Sequence, residues 1–282
     1  MIRPEAAVSA QSFKVKTVNG VTEVARQENA TELNAGVGLE DNLDAETVLG
    51  ITFPTLMTSY NVAGTPPFTP DLFTPDNSNE PFLDWVNFML SNQTTLPNVV
   101  SISYADEDQT IPASYANSVC NGFAQMGARG VTVLSASGDY GVCPQGLCFT
   151  NDEKKTAAFL PEFPASCVSL ASSISHHYML TPPPPPQPYV TVVGGTKNVS
   201  PEIVAVNADG SFASGSGLSN YFTQPSYQKR VVSSYVQGMG TTFSTLYNAS
   251  GRAYPDISAQ AFQFLIIWNG TMQMVSGTRY VD

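Results

Sequence analysis

Short runs of β-branched and apolar residues alternate along this chain with longer segments of helical period. The strand-like runs are bounded by glycine, proline or polar residues, as buried strands of a parallel sheet often are. This alternation predicts an α/β fold in which helices cover a mostly parallel central sheet. The predicted strands are 99–104, 131–136, 190–196 and 262–268, the predicted helices are 38–49, 80–90 and 114–126, and the predicted loops include 105–110, 159–167 and most of 201–250.

The strand predicted at 131–136 leads into a glycine turn that carries the first candidate site residue, Asp139. In open α/β sheets, ligands and chemistry collect at the ends of the strands. A Gly-Asp-x-Gly sequence also has an ordinary interpretation, in which the aspartate only bonds to its own backbone. The turn alone does not decide between these two interpretations.

The segment 38–49 has apolar residues at Leu39 and Leu43 and again one turn later, so it is predicted as a helix. The spacing of Glu40 and Asp44 places both carboxyl groups on one face of that helix. Two adjacent carboxylates repel each other, and partial burial would raise their affinity for protons. The competing interpretation is a solvated acidic helix face without chemistry.

The length and charge of the chain limit the possible classes of protein. A chain of 282 residues with 42% hydrophobic content can form one large core, so a single domain over 1–282 is predicted. Its 12 lysines and arginines against 23 aspartates and glutamates give a formal charge of -11, which argues against a nucleic-acid partner. Acidic surroundings suit such a chain, because partial protonation relieves its self-repulsion. No apolar run approaches the ~18 residues of a membrane span, so no membrane partner is expected.

Two other features favour a secreted, extracellular protein, although no signal peptide is recognisable at the first residues. We therefore expect the true N-terminus to lie upstream. N-glycosylation sequons begin at Asn29, Asn92, Asn198, Asn248 and Asn269. The cysteines, Cys120, Cys143, Cys148 and Cys167, are even in number and allow disulfides in three alternative pairings.

Motifs spread over nearly the whole chain occur together in the order found in one peptidase family. They are Glu40-x-x-Leu-Asp44, Ser137-Gly-Asp139, Phe163-Pro-Ala-Ser-Cys167, Pro188-Tyr-Val-Thr-Val-Val-Gly-Gly-Thr196, Tyr254-Pro-Asp-Ile-Ser-Ala259 and Ser276-Gly-Thr278. The chain thereby resembles the sedolisin family of serine-carboxyl peptidases, and especially the secreted fungal tripeptidyl peptidases. The resemblance implies a subtilisin-like α/β fold, an N-terminal prosegment, a bound calcium ion and an acidic pH optimum.

The resemblance also assigns roles to the candidate carboxyl groups: Glu40 is the general base, Asp44 orients it, and Asp139 is the acid of the oxyanion hole. A carboxylate can activate a serine hydroxyl at acidic pH, and a protonated aspartic acid can donate a hydrogen bond to an oxyanion. The histidines, His176 and His177, are adjacent in an irregular segment, so no Ser-His-Asp triad is expected. The expected substrate is a peptide or protein, and the expected molecule is a monomer.

The first departure from the family pattern is a proline-rich insertion at 168–187. A surface insertion is one interpretation. The other is a retained intron, because Val168-Ser169 can be encoded by a splice-donor sequence and Gln187 by an acceptor, and removal of the segment keeps the frame. Since the segment has no helical or strand period, we expect it to be disordered or loosely attached.

The second departure is Arg279, which follows Thr278 where the resemblance places the nucleophilic serine. We therefore expect this chain to be inactive, to be incomplete at its C-terminus and to lack the calcium ligands, which follow that serine in the family. Ser135 and Ser137 are interpreted as structural hydroxyl groups rather than substitute nucleophiles. The alternative function is a catalytically dead protein that binds peptides. Whether tripeptides are released or internal bonds are cut stays open.

Overall fold

Helices and strands alternate along most of the chain in the computed structural model, which describes residues 4–11, 13–21, 28–92, 95–168 and 189–278. The helices are α1 (Ala30–Asn34), α2 (Leu39–Thr52), α3 (Phe82–Asn92), α4 (Ala113–Ala128) and α5 (Lys229–Met239). The strands are β1 (Lys14–Val18), β2 (Thr58–Val62), β3 (Val99–Ile102), β4 (Asp106–Glu107), β5 (Thr132–Ala136), β6 (Glu162–Phe163), β7 (Val190–Lys197), β8 (Ile203–Val204), β9 (Gly217–Thr223), β10 (Gly251–Tyr254), β11 (Ile257–Gln260), β12 (Phe264–Trp268) and β13 (Thr271–Val275). Short 3-10 helices cover Pro4–Gln11, Asp108–Thr110 and Pro144–Gly146.

A parallel sheet with the strand order β11, β7, β5 and β3 forms the centre of the fold. In its register, Val99 pairs with Thr132 and Val133 pairs with Val190. Because β3 and β5 are parallel, the chain must cross over between them, and α4 forms that crossover. The short strand β8 adds to β7 in the antiparallel direction. The predicted α/β architecture with a mostly parallel sheet is confirmed.

The helices α3 and α4 pack closely against each other in the main core. A Cβ atom on Gly122 of α4 would lie 2.1 Å from Cγ1 of Val86 on α3, so only glycine permits this approach. Val86 and Phe123 are fully buried in the same cluster as Val133 and Val190 of the sheet. Burial of these side chains joins the helix layer to the sheet, at roughly 1.5–3 kcal/mol for each large apolar side chain.

Two of the predicted loops contain regular structure. The acidic segment 105–110 includes β4, which pairs antiparallel with β6, so that Asp106 lies opposite Phe163 and Glu107 opposite Glu162. The segment 201–250 contains β9 and the amphipathic helix α5, which buries only Val232. Both predictions of loops were wrong for the same reason: few apolar residues mark elements that are either very short or mostly exposed.

The disulfides resolve the pairing that the sequence left open. Cys120 of α4 bonds to Cys167, which follows β6, and Cys143 bonds to Cys148 within one loop. Most of the predicted insertion, 169–187, lies outside the described residues. Its first residue, Val168, is 2% exposed and belongs to the main core. The packed domain therefore extends at least one residue into the segment that the sequence assigned to the insertion.

Candidate active site

Asp139 lies in the turn that follows β5, at the carboxyl end of a central strand. Gly138 has a φ of 93°, which favours glycine, and a Cβ atom there would lie 1.9 Å from Oε2 of Glu162. The N–H groups of Ala213 and Gly215 donate to the carbonyl oxygens of Asp139 and Gly138. The turn that carries Asp139 therefore lies against the Glu162 carboxyl group and is held by hydrogen bonds from a second backbone segment.

The motif Ser276-Gly-Thr278 docks against this turn. The N–H of Thr278 donates to Oδ1 of Asp139 at 2.7 Å. The Thr278 hydroxyl lies 2.9 Å from the same oxygen and 3.0 Å from the carbonyl oxygen of Gly138. Because a hydroxyl group has a single proton, it can donate to only one of these oxygens at a time. Thr278 is fully buried. The motif therefore ends in direct contact with the side chain of Asp139.

Helix α2 carries Glu40 and Asp44 one turn apart, with Leu43 buried between them. One carboxyl oxygen of each residue, Oε1 of Glu40 and Oδ1 of Asp44, is shielded from solvent. The interpretation as a fully solvated acidic face is therefore wrong for these two groups. The adjacent Asp41 is exposed, as expected for the outer face of the same helix.

The β12–β13 hairpin connects α2 to the motif that contacts Asp139. Glu46 of α2 accepts a hydrogen bond from the N–H of Ile267 at 2.9 Å, and Nδ2 of Asn42 donates to the Ile267 carbonyl at 3.1 Å. After β13, the chain runs directly into Ser276-Gly-Thr278. Helix α2 and the motif that contacts Asp139 are thus connected through this hairpin, although they are distant in sequence.

Glu80 links Glu40 to the cavity beside Asp139. Burial raises the pKa of Glu80, and the nearby Glu40 carboxylate raises it further. The N–H of Glu80 lies 3.1 Å from Oδ2 of Asp106 and donates to that carboxyl group. Burial raises the pKa of Asp106 to about 8, an effect that this N–H opposes and the Glu80 and Glu107 carboxylates reinforce. Glu80 and Asp106 line the same cavity as Asp139.

Glu80, Asp106 and Glu162 were not predicted as site residues from the sequence. Each comes from a different segment, and pairing of β4 with β6 brings two of those segments together. The only local signal was the acidic character of 105–110, which also fits an exposed loop. The two alternative serines, Ser135 and Ser137, are fully buried, which supports their interpretation as structural residues. His176, His177 and Arg279 lie outside the described residues.

The described residues offer no metal site. Among them, no group of three or more His, Cys, Asp or Glu side chains is placed to hold an ion. The calcium ion that the resemblance implies therefore has no ligand set in this part of the chain, and no chemical step below involves it. In the same ranges, no helix is both long and apolar enough to cross a lipid bilayer.

Fungal tripeptidyl peptidases are similar in sequence to most of this chain. Tripeptidyl-peptidase SED2 of Arthroderma otae is 38% identical over 252 residues, covering 88% of this chain and 38% of the relative. Tripeptidyl-peptidase sed4 of Aspergillus fumigatus is 36% identical over 261 residues, covering 89% of this chain and 38% of the relative. The chain thus spans 38% of the length of these two relatives. No family model matches the chain.

Among solved structures, Pseudomonas sedolisin, a serine-carboxyl proteinase complexed with pseudo-iodotyrostatin, superposes with a TM-score of 0.57. The match covers 99% of this chain and 68% of that protein at 20% identity, which is a likeness of fold. The described structure is therefore a subtilisin-like α/β fold of the kind that serine-carboxyl peptidases have. The sequence relatives are thus fungal tripeptidyl peptidases and the fold neighbour is Pseudomonas sedolisin, which agrees with the resemblance of the chain to the sedolisin family.

Proposed function

We propose that this protein is a secreted, acid-acting serine-carboxyl peptidase that removes tripeptides from peptide substrates. The observation that carries the proposal is the contact between Thr278 and Oδ1 of Asp139. This contact joins two parts of the family pattern. The motif Ser276-Gly-Thr278 precedes the nucleophile position in the family, and Asp139 matches the family's oxyanion acid. The names of the fungal relatives support tripeptide release in preference to internal cleavage.

The proposed reaction uses a serine at position 279, Glu40, Asp44 and Asp139. The serine hydroxyl attacks the scissile carbonyl carbon while its proton moves to the Glu40 carboxylate, which Asp44 orients. The carbonyl π electrons move to oxygen, and the protonated carboxyl group of Asp139 donates a hydrogen bond to that oxyanion. Collapse of this tetrahedral intermediate breaks the C–N bond of the substrate, and the leaving amine takes the proton from Glu40. Water then hydrolyses the acyl-enzyme by the same steps.

This chemistry restricts activity to acidic pH. Glu40 must be ionised to accept the serine proton, whereas Asp139 must be protonated to donate to the oxyanion. A rate profile with both requirements is bell-shaped, and it falls on the alkaline side when Asp139 loses its proton. We therefore expect kcat/KM to rise and then fall within the acidic range.

Arg279 stands in the way of this reaction in the sequence as given. A guanidinium group is always protonated and has no lone pair for attack, and its charge would hold neighbouring carboxylates ionised. We account for it as an unspliced intron, since Arg279-Tyr-Val can be encoded as AGG-TAT-GTN, which contains AG followed by a donor-like sequence. Joining AG to a following C or T restores serine. The segment 168–187 has the same explanation.

The test begins with the mature transcript, sequenced across codons 167–188 and 279. We expect codon 279 to encode serine and codons 168–187 to be absent. The protein made from that transcript should release tripeptides from a free N-terminus near pH 4, and an N-acetylated copy of the same peptide should resist cleavage. A transcript that keeps Arg279 would instead favour the inactive peptide-binding protein. A serine-279 protein that leaves both peptides intact would contradict the peptidase proposal.

Secretion has a separate test in the sequons. Asn198 and Asn269 are exposed, so their side chains are open to glycosylation. The side chain of Asn248 is partly buried, and its Nδ2 donates to the Ser219 carbonyl at 2.9 Å. In protein secreted from a fungal host, peptide mass spectrometry should find glycans at Asn198 and Asn269 and little or none at Asn248. Unmodified asparagine at both exposed positions would argue against passage through the secretory route.

A further inference from the structure

A cavity of about 250 Å³ opens beside the turn of Asp139. It lies between the chain that follows β3, the turn that follows β5 and the loop that precedes α3. Its volume is below the roughly 300–1,000 Å³ of pockets for drug-sized ligands, so it suits a single side chain. Gly138 and Asp139 form one wall of this cavity.

The charged side chains that line the cavity, among the described residues, are all carboxyl groups. Glu162 is the one that contacts the oxyanion turn, since a Cβ atom on Gly138 would overlap both of its carboxyl oxygens. The backbone of Glu162 is fixed by pairing with Glu107 and by donation of its N–H to the hydroxyl oxygen of Tyr254 at 2.8 Å. Glu162 therefore presents its carboxyl group from a defined position.

In the proposed reaction, Asp139 binds the oxygen of the scissile carbonyl. The substrate residue that carries this carbonyl must lie next to Asp139, so its side chain can reach the adjoining cavity. We infer that this cavity binds that substrate side chain, and that Glu162 makes lysine or arginine the preferred residue there. The inference rests on the proposed function, and it concerns the choice of substrate rather than the chemistry of cleavage.

The preference has a simple physical basis. A lysine ammonium or arginine guanidinium that reaches Glu162 forms a charge-assisted hydrogen bond in a partly buried site, where such bonds are strongest. An uncharged side chain of the same length leaves the carboxyl group without that bond. Glu80, Asp106 and Glu107 also line the cavity, and burial raises the pKa of each. A bound cation favours their ionised forms, so binding of a lysine peptide should release protons.

The experiment measures binding rather than cleavage, so it uses the chain with Arg279, which has no nucleophilic serine at that position. Isothermal titration calorimetry at pH 5 compares the tripeptide amides Ala-Ala-Lys-NH₂ and Ala-Ala-norleucine-NH₂, which differ at the last side chain by a charge. We expect the lysine peptide to bind at least about tenfold more tightly. The Glu162→Gln variant should reduce that ratio to between one and two, and Glu162→Asp should keep part of it.

The matched control is Glu153→Gln, which changes the net charge equally at an exposed position outside the cavity. It should leave the ratio unchanged, and circular dichroism should show native folding for all variants. Should Glu162→Gln misfold, Glu162→Asp carries the test, because a side chain shorter by one methylene should weaken lysine binding more than norleucine binding. Equal binding of both peptides, or a full ratio in the folded Glu162 variants, overturns the inference and leaves the proposed peptidase standing. If neither peptide binds, the inference fails, and the peptidase proposal is decided by the cleavage test on the serine-279 protein.

Discussion

Asp139 directly follows β5 of the main sheet, whereas Asp108 directly follows β4 of the two-stranded β4–β6 sheet, and the surroundings of the two aspartates differ. Asp108 is 1% exposed and accepts hydrogen bonds from the hydroxyl groups of Ser166 at 2.7 Å and Ser219 at 3.2 Å. Asp139 accepts from Thr278 and borders an open cavity. One carboxyl group is therefore enclosed by protein partners, whereas the other has open space beside it.

The comparison shows how one residue type serves two purposes. Burial raises the pKa of Asp108 to about 7, although the hydroxyl groups of Ser166 and Ser219 partly oppose that rise. In an acidic medium Asp108 is thus protonated and joins three segments of chain without a buried charge. Asp139 needs the same protonated form for a different purpose, since its proton is proposed to stabilise an oxyanion. An acidic working pH suits both residues.

The largest expected effect distinguishes Glu40, the proposed general base, from the buried Asp108. In the serine-279 protein, Glu40→Gln should lower kcat by about 10⁴- to 10⁶-fold, the range found for members of a catalytic triad. Asp108→Asn should leave kcat at pH 4 within a few fold, because Asp108 does not border the cavity. Initial rates of tripeptide release measure both. Asp41→Asn, an exposed neighbour on α2, is the control, and a near-normal rate in Glu40→Gln would rule out Glu40 as the base.

A second effect tests the proton on Asp139. Asp139→Ala removes the donor and should lower kcat by about 10²- to 10³-fold, as loss of one oxyanion-hole donor does elsewhere. Asp139→Asn keeps an N–H donor that does not titrate, so it should retain more activity and extend the alkaline limb of the rate profile. The measurement is kcat/KM between pH 3 and pH 8. If alanine and asparagine have the same effect at every pH, the oxyanion role of Asp139 is wrong.

The third effect concerns the pH dependence of stability, to which both buried aspartates, Asp108 and Asp106, should contribute. The pKa of Asp108 is raised above the unfolded value of 3.8, so the folded state binds the proton more tightly. Stability is therefore fully present below about pH 4 and decreases as pH rises towards about 7, by at most roughly 4 kcal/mol. Asp106, with its pKa raised to about 8, acts in the same direction.

Urea unfolding at pH 4 and pH 7.5 measures this loss of stability. Asp108→Asn should reduce the difference between the two pH values, because the amide stays neutral at both. A wild-type protein that is equally stable at both pH values would contradict the account of Asp108.

The smallest effect comes from the hydroxyl partners of the two aspartates. Ser219→Ala removes one donor to Asp108 and should lower the free energy of unfolding by about 1 kcal/mol without changing kcat at pH 4. Thr278→Val removes the hydroxyl near Asp139 but keeps the N–H contact, so it should lower kcat several fold at a similar cost in stability. Thermal melts and initial rates distinguish the two. If Ser219→Ala lowers kcat as much as Thr278→Val does, the division between structural and catalytic carboxyl groups fails.

The sequence by itself determined the α/β class and the positions of the strongest elements. The runs that form β5 and β7 are apolar and β-branched, so local propensity and burial agree there. Spacing also placed Glu40 and Asp44 on one helix face. The family motifs drew attention to Asp139 and Thr278, although neither periodicity nor composition states that they touch.

Only the tertiary structure decided which carboxyl groups share a cavity. Glu80, Asp106 and Glu162 belong to separate segments, and the two-residue strands β4 and β6 that bring two of them together are too short to have a period. Local sequence also cannot distinguish the acidic segment 105–110 from an exposed loop. Whether a carboxyl group is solvated or buried depends on chain that is distant in sequence. That burial, through its cost for a charged group, decides the protonation state of Asp106 and Asp108.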